Sequence, residues 1–185
     1  MAGENLMLKD RYGLELSTNS SVARDAYVEA VDAVLSATGD AEALLKKGID
    51  ADPEFALNHT VYARVQQLSG RMAEAKASGE RGVKLAKKAT DREKQHAQIF
   101  QLLTSGQGPK GLELIQSHVQ QHKLDAFALA PACSVFGLIG FSGRIDREDE
   151  QVSLLEPLEK AYGDDWWFLT VYGFALVEIG EWKRD

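Results

Sequence analysis

Three residues have the types and spacing that could hold a metal ion. Glu93 and His96 form a Glu-x-x-His pair on one face of a predicted helix, and His59 lies on a helix of the preceding helix pair. Glu-x-x-His pairs on facing helices bind di-iron, but a full site needs a second pair, and the sequence contains none. The alternative, which we favour, is structural: Glu93 complements the positive end of its helix, and both histidines form hydrogen bonds between helices.

Two further motifs have a chemical and a structural interpretation. His118 and His122 are four residues apart and could share a surface metal ion, but without further ligands we favour the solvated face of an outer helix. The stretch GQGPKG (106–111) matches G-x-G-x-x-G, which binds dinucleotides only where it follows a strand. Here it follows a helical pattern, so we interpret it as a turn.

Composition and charge narrow the class of protein. The 185 residues carry a net charge of −7, and the basic residues do not cluster beyond one helix end, so we expect no nucleic-acid partner and no membrane partner. The single cysteine, Cys133, lies in an apolar run and is expected to be a buried hydrophobe. No arrangement of nucleophile and base stands out, so we expect no enzyme and no cofactor. The first residues lack the apolar stretch of a signal peptide, which favours the cytoplasm.

Four glycines recur at a nearly constant period along the chain. Gly70, Gly106, Gly143 and Gly180 are separated by 36, 37 and 37 residues, and each lies between two runs of helical length. A repeated helix, turn and helix of about this length is typical of tetratricopeptide-type repeats, which stack and leave a groove for a partner. We therefore predict an all-α, tetratricopeptide-like helix-turn-helix solenoid of about four and a half repeats over residues 17–185, preceded by an arm at 1–16.

Within the repeats, apolar periodicity predicts the individual helices. The small residues Ala75, Gly79 and Gly82 indicate a helix that approaches its neighbour closely. A strongly apolar helix is expected from Phe127 to Phe141, and Pro157 should kink or divide a later one.

The last full helix has no partner helix after it, so the chain is expected to be a piece truncated at its C-terminal end. We expect self-association through its apolar residues. These are Trp166, Phe168, Tyr172, Phe174 and Ile179.

Several longer stretches are similar to one family. GLELSTNS (13–20), DPEFALNH (52–59), DREKQH (91–96) and VYGFALVEIGEW (171–182) together resemble the tetratricopeptide repeat protein 38 family. The resemblance implies an all-α solenoid in a chain about twice as long. It brings no reaction, cofactor or catalytic residue, and its repeat class implies protein or peptide binding.

The expected function is a non-enzymatic scaffold that binds a protein or peptide in a concave groove, or fills that groove with its own arm. The alternative is a helical-repeat enzyme or metalloprotein with a site near His59, Glu93 and His96. The residues expected to line the groove are Leu57, Thr60, Arg64, Gln67, Leu68, Glu93, His96, Phe100 and Leu103.

Overall fold

Residues 7–181 are described by a computed structural model, and the fold is all-α apart from one small hairpin. Two strands, β1 (Leu8–Lys9) and β2 (Glu15–Leu16), pair antiparallel. The helices follow in the order α1 (Ser21–Leu35), α2 (Ala41–Ala51), α3 (Ala56–Leu68), α4 (Met72–Ala86), α5 (Asp91–Thr104), α6 (Gly108–Gln121), α7 (Ala126–Leu129), α8 (Arg147–Leu155), α9 (Glu159–Tyr162) and α10 (Trp166–Glu178).

The periodic glycines form the predicted turns. Gly70, Gly106, Gly143 and Gly180 have φ angles of 77°, 74°, 70° and 83°. This left-handed region is costly for a residue with a Cβ atom, so glycine is the residue that ends a helix there. The repeat period therefore marks the positions where the backbone must turn.

The chain divides into two compact units, Met1–Gln107 and Gly108–Asp185. In the first unit α3 packs against α1, α2, α4 and α5. The first helices of successive helix pairs, α1, α3 and α5, therefore share one core with the second helices α2 and α4. Tyr27 and Phe55 meet edge to face in this core, with ring centroids 5.5 Å apart. This stacking of helix pairs is the arrangement of a tetratricopeptide-like solenoid and confirms the predicted fold class.

Small residues allow α4 to approach its neighbours closely, as predicted. A Cβ atom on Gly82 would lie 2.6 Å from Thr60 Oγ1 of α3, and one on Gly79 would lie 2.9 Å from Thr104 Oγ1 of α5. Ala75 is fully buried on the same helix. Both threonine hydroxyls donate to carbonyl oxygens of their own helices, so they are not free to rotate away.

The N-terminal arm continues past its predicted end at residue 16, because α1 begins only at Ser21, and residues 17–20 fasten it across the ends of three helices. Ser17 contacts Glu93 at the start of α5, and Thr18 Oγ1 donates to Asp52 before α3, at 2.5 Å. Ser20 caps α1 by accepting from the Ala23 N–H. Leu16 of β2 is completely buried. The arm in the described residues is thus an ordered part of the first unit, and its hairpin is a feature that the sequence pattern did not indicate.

The predicted helix from Phe127 to Phe141 is wrong beyond its first turn. The α-helix ends at Leu129, and a 3₁₀ turn covers Ala130–Ala132. Pro131 cannot donate the next helical hydrogen bond, and its carbonyl instead accepts from Leu138 N–H across a loop. In contrast, Pro157 divides α8 from α9 as expected, in a 3₁₀ turn at Glu156–Leu158.

In the second unit, α8 packs against α10, and the core is apolar and aromatic. Tyr162 and Phe168 stack with nearly parallel rings 4.3 Å apart. Across residues 7–181, no helix has the length and apolarity needed to span a bilayer.

A charged cluster joins the first two helix pairs. Both Glu42 oxygens of α2 accept from Arg71 at the start of α4, and Glu42 also pairs with Lys46 one turn later. The Tyr62 hydroxyl donates to the same carboxylate at 3.2 Å. Hydrogen bonds from Lys46 and then Arg71 lower the pKa of Glu42 to about 2.

This cluster predicts a specific acid sensitivity. The lowered pKa of Glu42 means that its stabilising contribution is fully present above about pH 4.5 and is lost as the pH falls toward 2. The melting temperature of Glu42→Gln should therefore be below that of the wild type at pH 7, and the difference should shrink between pH 4.5 and pH 2. Thermal melts followed by circular dichroism at several pH values measure this. Glu80→Gln, an exposed carboxylate elsewhere, is the control; a difference for Glu42→Gln that does not change with pH would contradict the assignment.

Candidate functional site

Arg64 is the cationic side chain most suited to recognition in the first unit. It lies near the C-terminal end of α3 and is half-buried. Its Nη1 donates to Gln67 Oε1 at 2.6 Å, and Gln67 Nε2 donates to the Leu103 carbonyl of α5 at 3.0 Å. Gln67 lies on the same helix as Arg64 and is itself tethered to α5, so it holds the guanidinium in place. We call Arg64, Gln67 and the adjacent Leu68 the Arg64 surface.

The positive charge of Arg64 is not balanced by a neighbouring acidic side chain in the part of the chain that the structure describes. Among residues 7–181, no carboxylate forms an ion pair with the guanidinium. Burial lowers the pKa of Arg64, and no opposing charge offsets this effect. The group stays charged, since an arginine does not lose its proton in a protein at neutral pH. A cation that has lost water without gaining a counter-charge costs free energy, which an incoming carboxylate would recover.

An apolar contact point lies beside this cation. Leu68 follows Arg64 by one helical turn and has 60% of its surface exposed. An exposed leucine next to a held guanidinium offers a partner both an apolar contact and a directional polar contact. The arrangement suits binding, and it contains no nucleophile or base.

Most of the predicted groove residues lie in the interior instead. Arg64, Gln67 and Leu68 reach the surface, whereas a partner docked on the structure would not touch the other six. Those six, all buried, are Leu57, Thr60, Glu93, His96, Phe100 and Leu103. Their burial follows from the tight packing of the helices: α3 is covered by α1, α2, α4 and α5, and α5 packs against α3 and α4. A face that looks amphipathic in the sequence is therefore enclosed.

Glu93 acts as a structural anchor for the arm. Its two oxygens accept from Ser17 N, Ser17 Oγ, Thr90 N and Thr90 Oγ1. The contacts with Thr90 form a capping box at the start of α5. The carboxylate is completely buried and occupied by these donors. Packing against the arm was the alternative to groove exposure. Glu93 contacts Ser17, the residue just after the predicted arm, and the adjacent Arg92 donates to the carbonyl oxygen of Glu15 within the arm.

The three residues of the metal alternative do not form a ligand set. His59 Nε2 lies 2.9 Å from the Pro53 carbonyl oxygen, so it carries a proton and donates there. His96 packs against Phe100, with ring centroids 5.2 Å apart. In the described part of the chain, no group of three His, Cys, Asp or Glu side chains is placed to bind a metal ion.

The interpretation of His118 as part of a solvated face is wrong. His118 is completely buried in the second unit, and its Nε2 lies 3.2 Å from Asp125 Oδ2. Asp125 also caps α7 by accepting from the Ala128 N–H. His122 stacks 4.9 Å from His118 and is half-buried. The histidine pair therefore links α6 to the start of α7.

The predicted self-association residues divide between core and surface. Phe168 and Tyr172 are buried in the second unit, so they cannot contact another molecule. Trp166 and Phe174 are exposed, and Ile179 is half-buried. Leu169 and Val177 are also exposed, so the apolar surface of α10 keeps three of the five expected residues and includes two that were not expected.

Cys133 is buried, as expected for a small hydrophobe. Burial raises the pKa of its thiol to about 12, so almost no thiolate exists at neutral pH. Its sulfur lies 3.5 Å from the Leu129 carbonyl oxygen.

Sequence reasoning did not identify the anchors of the arm. Ser17 and Thr18 belong to a run of residues that are common helix caps, and only Ser20 caps the helix. The signal that distinguishes them is the carboxylate acceptor that each one meets, the buried Glu93 or the half-buried Asp52, and these lie far away in sequence.

Similarity to known proteins is found at the level of structure and not of sequence. No family model matches the sequence, and no curated protein matches it. Among solved structures, the chain is similar to the tetratricopeptide repeat protein YrrB, described as having an unusual peptide-binding site. The two are 14% identical, the match covers 88% of this chain and 78% of YrrB, and the TM-score is 0.41.

Proposed function

We propose that this chain is a non-enzymatic scaffold that binds an acidic segment of another protein on the Arg64 surface. The observation that carries the proposal is the half-buried guanidinium of Arg64, held by Gln67 and paired with no carboxylate of residues 7–181. We also propose that the chain belongs to the tetratricopeptide repeat protein 38 family and that residues 1–16 form an arm separate from the repeats.

The geometry favours a carboxylate as the group recognised. The guanidinium is planar and can donate two parallel hydrogen bonds to one carboxylate. One of its N–H groups is used by Gln67, which fixes the orientation of the others. A bound Asp, Glu or C-terminal carboxylate would restore the charge balance that burial disturbs, and an apolar residue next to it would contact Leu68.

The packed helices α1, α3 and α5 provide a rigid base for this contact. Gln67 is bonded to the backbone of α5, and α3 packs on both α1 and α5. Little side-chain freedom is left to lose on binding, which lowers the entropic cost of association. A scaffold function needs this kind of preorganised surface.

Selection from a displayed peptide library tests the proposal. The wild type should enrich peptides with an acidic side chain or a free C-terminal carboxylate next to an apolar residue. Arg64→Gln should lose this enrichment, because glutamine cannot provide the charged fork.

Lys94→Gln is the matched control for this selection, since it removes one positive charge from an exposed position of α5. It should select the same peptides as the wild type. Equal enrichment of acidic peptides by wild type and Arg64→Gln would contradict the proposal.

A further inference from the structure

A cleft in the second unit has the size and lining of a small-ligand site. It lies between α6 and α8 and has a volume of about 430 Å³. Pockets for small molecules range from about 300 to 1,000 Å³, so the cleft is at the lower end of that range. It is lined by Gln116, Val119, Gln120, Lys123, Glu150, Ser153, Leu154, Pro157 and Leu158.

At one end of the cleft a hydrogen bond joins the two walls, and the negative charge there is paired with an arginine. Gln116 Nε2 of α6 donates to Glu150 Oε1 of α8 at 3.1 Å, which bridges the two walls. Glu150 also forms an ion pair with Arg144. This bridge between the two walls favours a short ligand over an extended peptide. A short ligand that ends inside the cleft is the better fit.

Lys123, by contrast, is a charged residue of the cleft without a counter-charge in the described part of the chain. This residue lies in the turn just after the C-terminal end of α6, seven residues beyond Gln116 in the sequence. Its ammonium is exposed and has no partner within residues 7–181. Between the bridge and Lys123, the lining is apolar at Val119, Leu154 and Leu158. Val119 and Leu158 are almost fully buried and form a rigid floor.

We propose that the α6–α8 cleft binds a small amphipathic monocarboxylate. Its apolar chain lies on Leu154 and Pro157, above a floor formed by the buried Val119 and Leu158, and its carboxylate pairs with Lys123. Because the only unpaired charge lining the cleft among the described residues is positive, an anion is favoured over a neutral or cationic amphiphile of the same length. The site is separate from the Arg64 surface and does not depend on it.

Titration of the ¹⁵N-labelled full chain with decanoate, below its micelle concentration, tests this site. We expect saturable shifts of backbone amides in residues 116–123 and 150–158. Decanol should bind more weakly than decanoate, and decyltrimethylammonium more weakly still. The absence of saturable shifts in these two segments, or equal binding of decanol and decanoate, would overturn the proposal.

Two exposed positions allow variants that leave the fold intact. Lys123→Gln should weaken decanoate binding about three- to ten-fold and leave decanol binding unchanged, as expected for loss of one surface ion pair. Ser153→Trp should fill the cleft and abolish binding, with an unchanged melting temperature. Arg64→Gln should bind decanoate like the wild type, so failure of this site and failure of the Arg64 surface are distinguishable. Wild-type affinity in Lys123→Gln would exclude the assigned role of the ammonium.

Discussion

Replacement of Glu93 by alanine should lower the free energy of unfolding of the first unit by about 3 kcal/mol, since hydrogen bonds to a charged group contribute about 1.5–3 kcal/mol each and do not add fully. The carboxylate is completely buried and accepts from two donors of Ser17 and two of Thr90. Alanine leaves these donors without an acceptor and removes one of the links between the arm and α5, the other being the hydrogen bond from Arg92 Nη2 to the Glu15 carbonyl. Urea unfolding followed by circular dichroism measures the loss.

A second readout separates loss of the arm from general destabilisation. Arg11 lies between the two strands of the hairpin and is exposed. Trypsin should cleave there faster in Glu93→Ala than in the wild type under native conditions, because the arm is released locally. Gln98→Ala, an exposed change on the same helix, should alter the stability by less than about 0.5 kcal/mol. A stability of Glu93→Ala equal to that of this control would contradict the role of Glu93 as an anchor.

Replacement of Gly82 by alanine should destabilise the first unit by about 2 kcal/mol, although the same change in an open helix stabilises by up to about 1 kcal/mol. The added Cβ atom would lie 2.6 Å from Thr60 Oγ1, which is closer than van der Waals contact allows. Thr60 is fully buried and donates to the Ala56 carbonyl, so it cannot move without losing that bond. Urea unfolding again measures the change.

A double-mutant cycle attributes this cost to one contact. In a Thr60→Ala background the obstructing hydroxyl is absent, so Gly82→Ala should cost at least about 1 kcal/mol less than it does alone. Gly173→Ala in α10 is the matched control, because its Cβ atom would meet no atom within 4 Å. It should be neutral or stabilising. An equal cost of Gly82→Ala in both backgrounds would show that close helix approach is not the cause.

The turns were predictable because a local rule decides them. Gly70, Gly106, Gly143 and Gly180 all adopt the left-handed backbone that glycine tolerates best. The helices that flank Gly70 also follow from a local apolar period. The residue types of each short segment were therefore sufficient to predict the repeat and most of the helix ends.

Burial of polar residues was not predictable, since it depends on partners far away in sequence. Thr60 is enclosed because Gly82 has no side chain. Glu93 is enclosed because Ser17 comes from the arm. In a sequence, each of these residues looks like part of an exposed helix face. Only Arg64, Gln67 and Leu68 of the predicted groove lie at the surface.

Two further errors come from apolar segments without a clear period. Nearly every residue of α10 is apolar, so the sequence does not distinguish Phe168, which is buried, from Leu169, which is exposed. Between Phe127 and Phe141, apolar content favoured a long helix, whereas the α-helix ends at Leu129 and Pro131 lies in the 3₁₀ turn that follows. The proline was the signal that deserved more weight.

The most direct test of the central claim is the affinity of one selected acidic peptide, measured by calorimetry against the same peptide with its carboxylates converted to amides. We expect the wild type to bind the acidic peptide at least about ten-fold more tightly, because a hydrogen bond between charged groups is lost in the amide form. In Arg64→Gln, the two peptides should bind with equal affinity. If Arg64→Gln discriminates between them as strongly as the wild type does, then Arg64 does not recognise the carboxylate, and the proposed function is wrong.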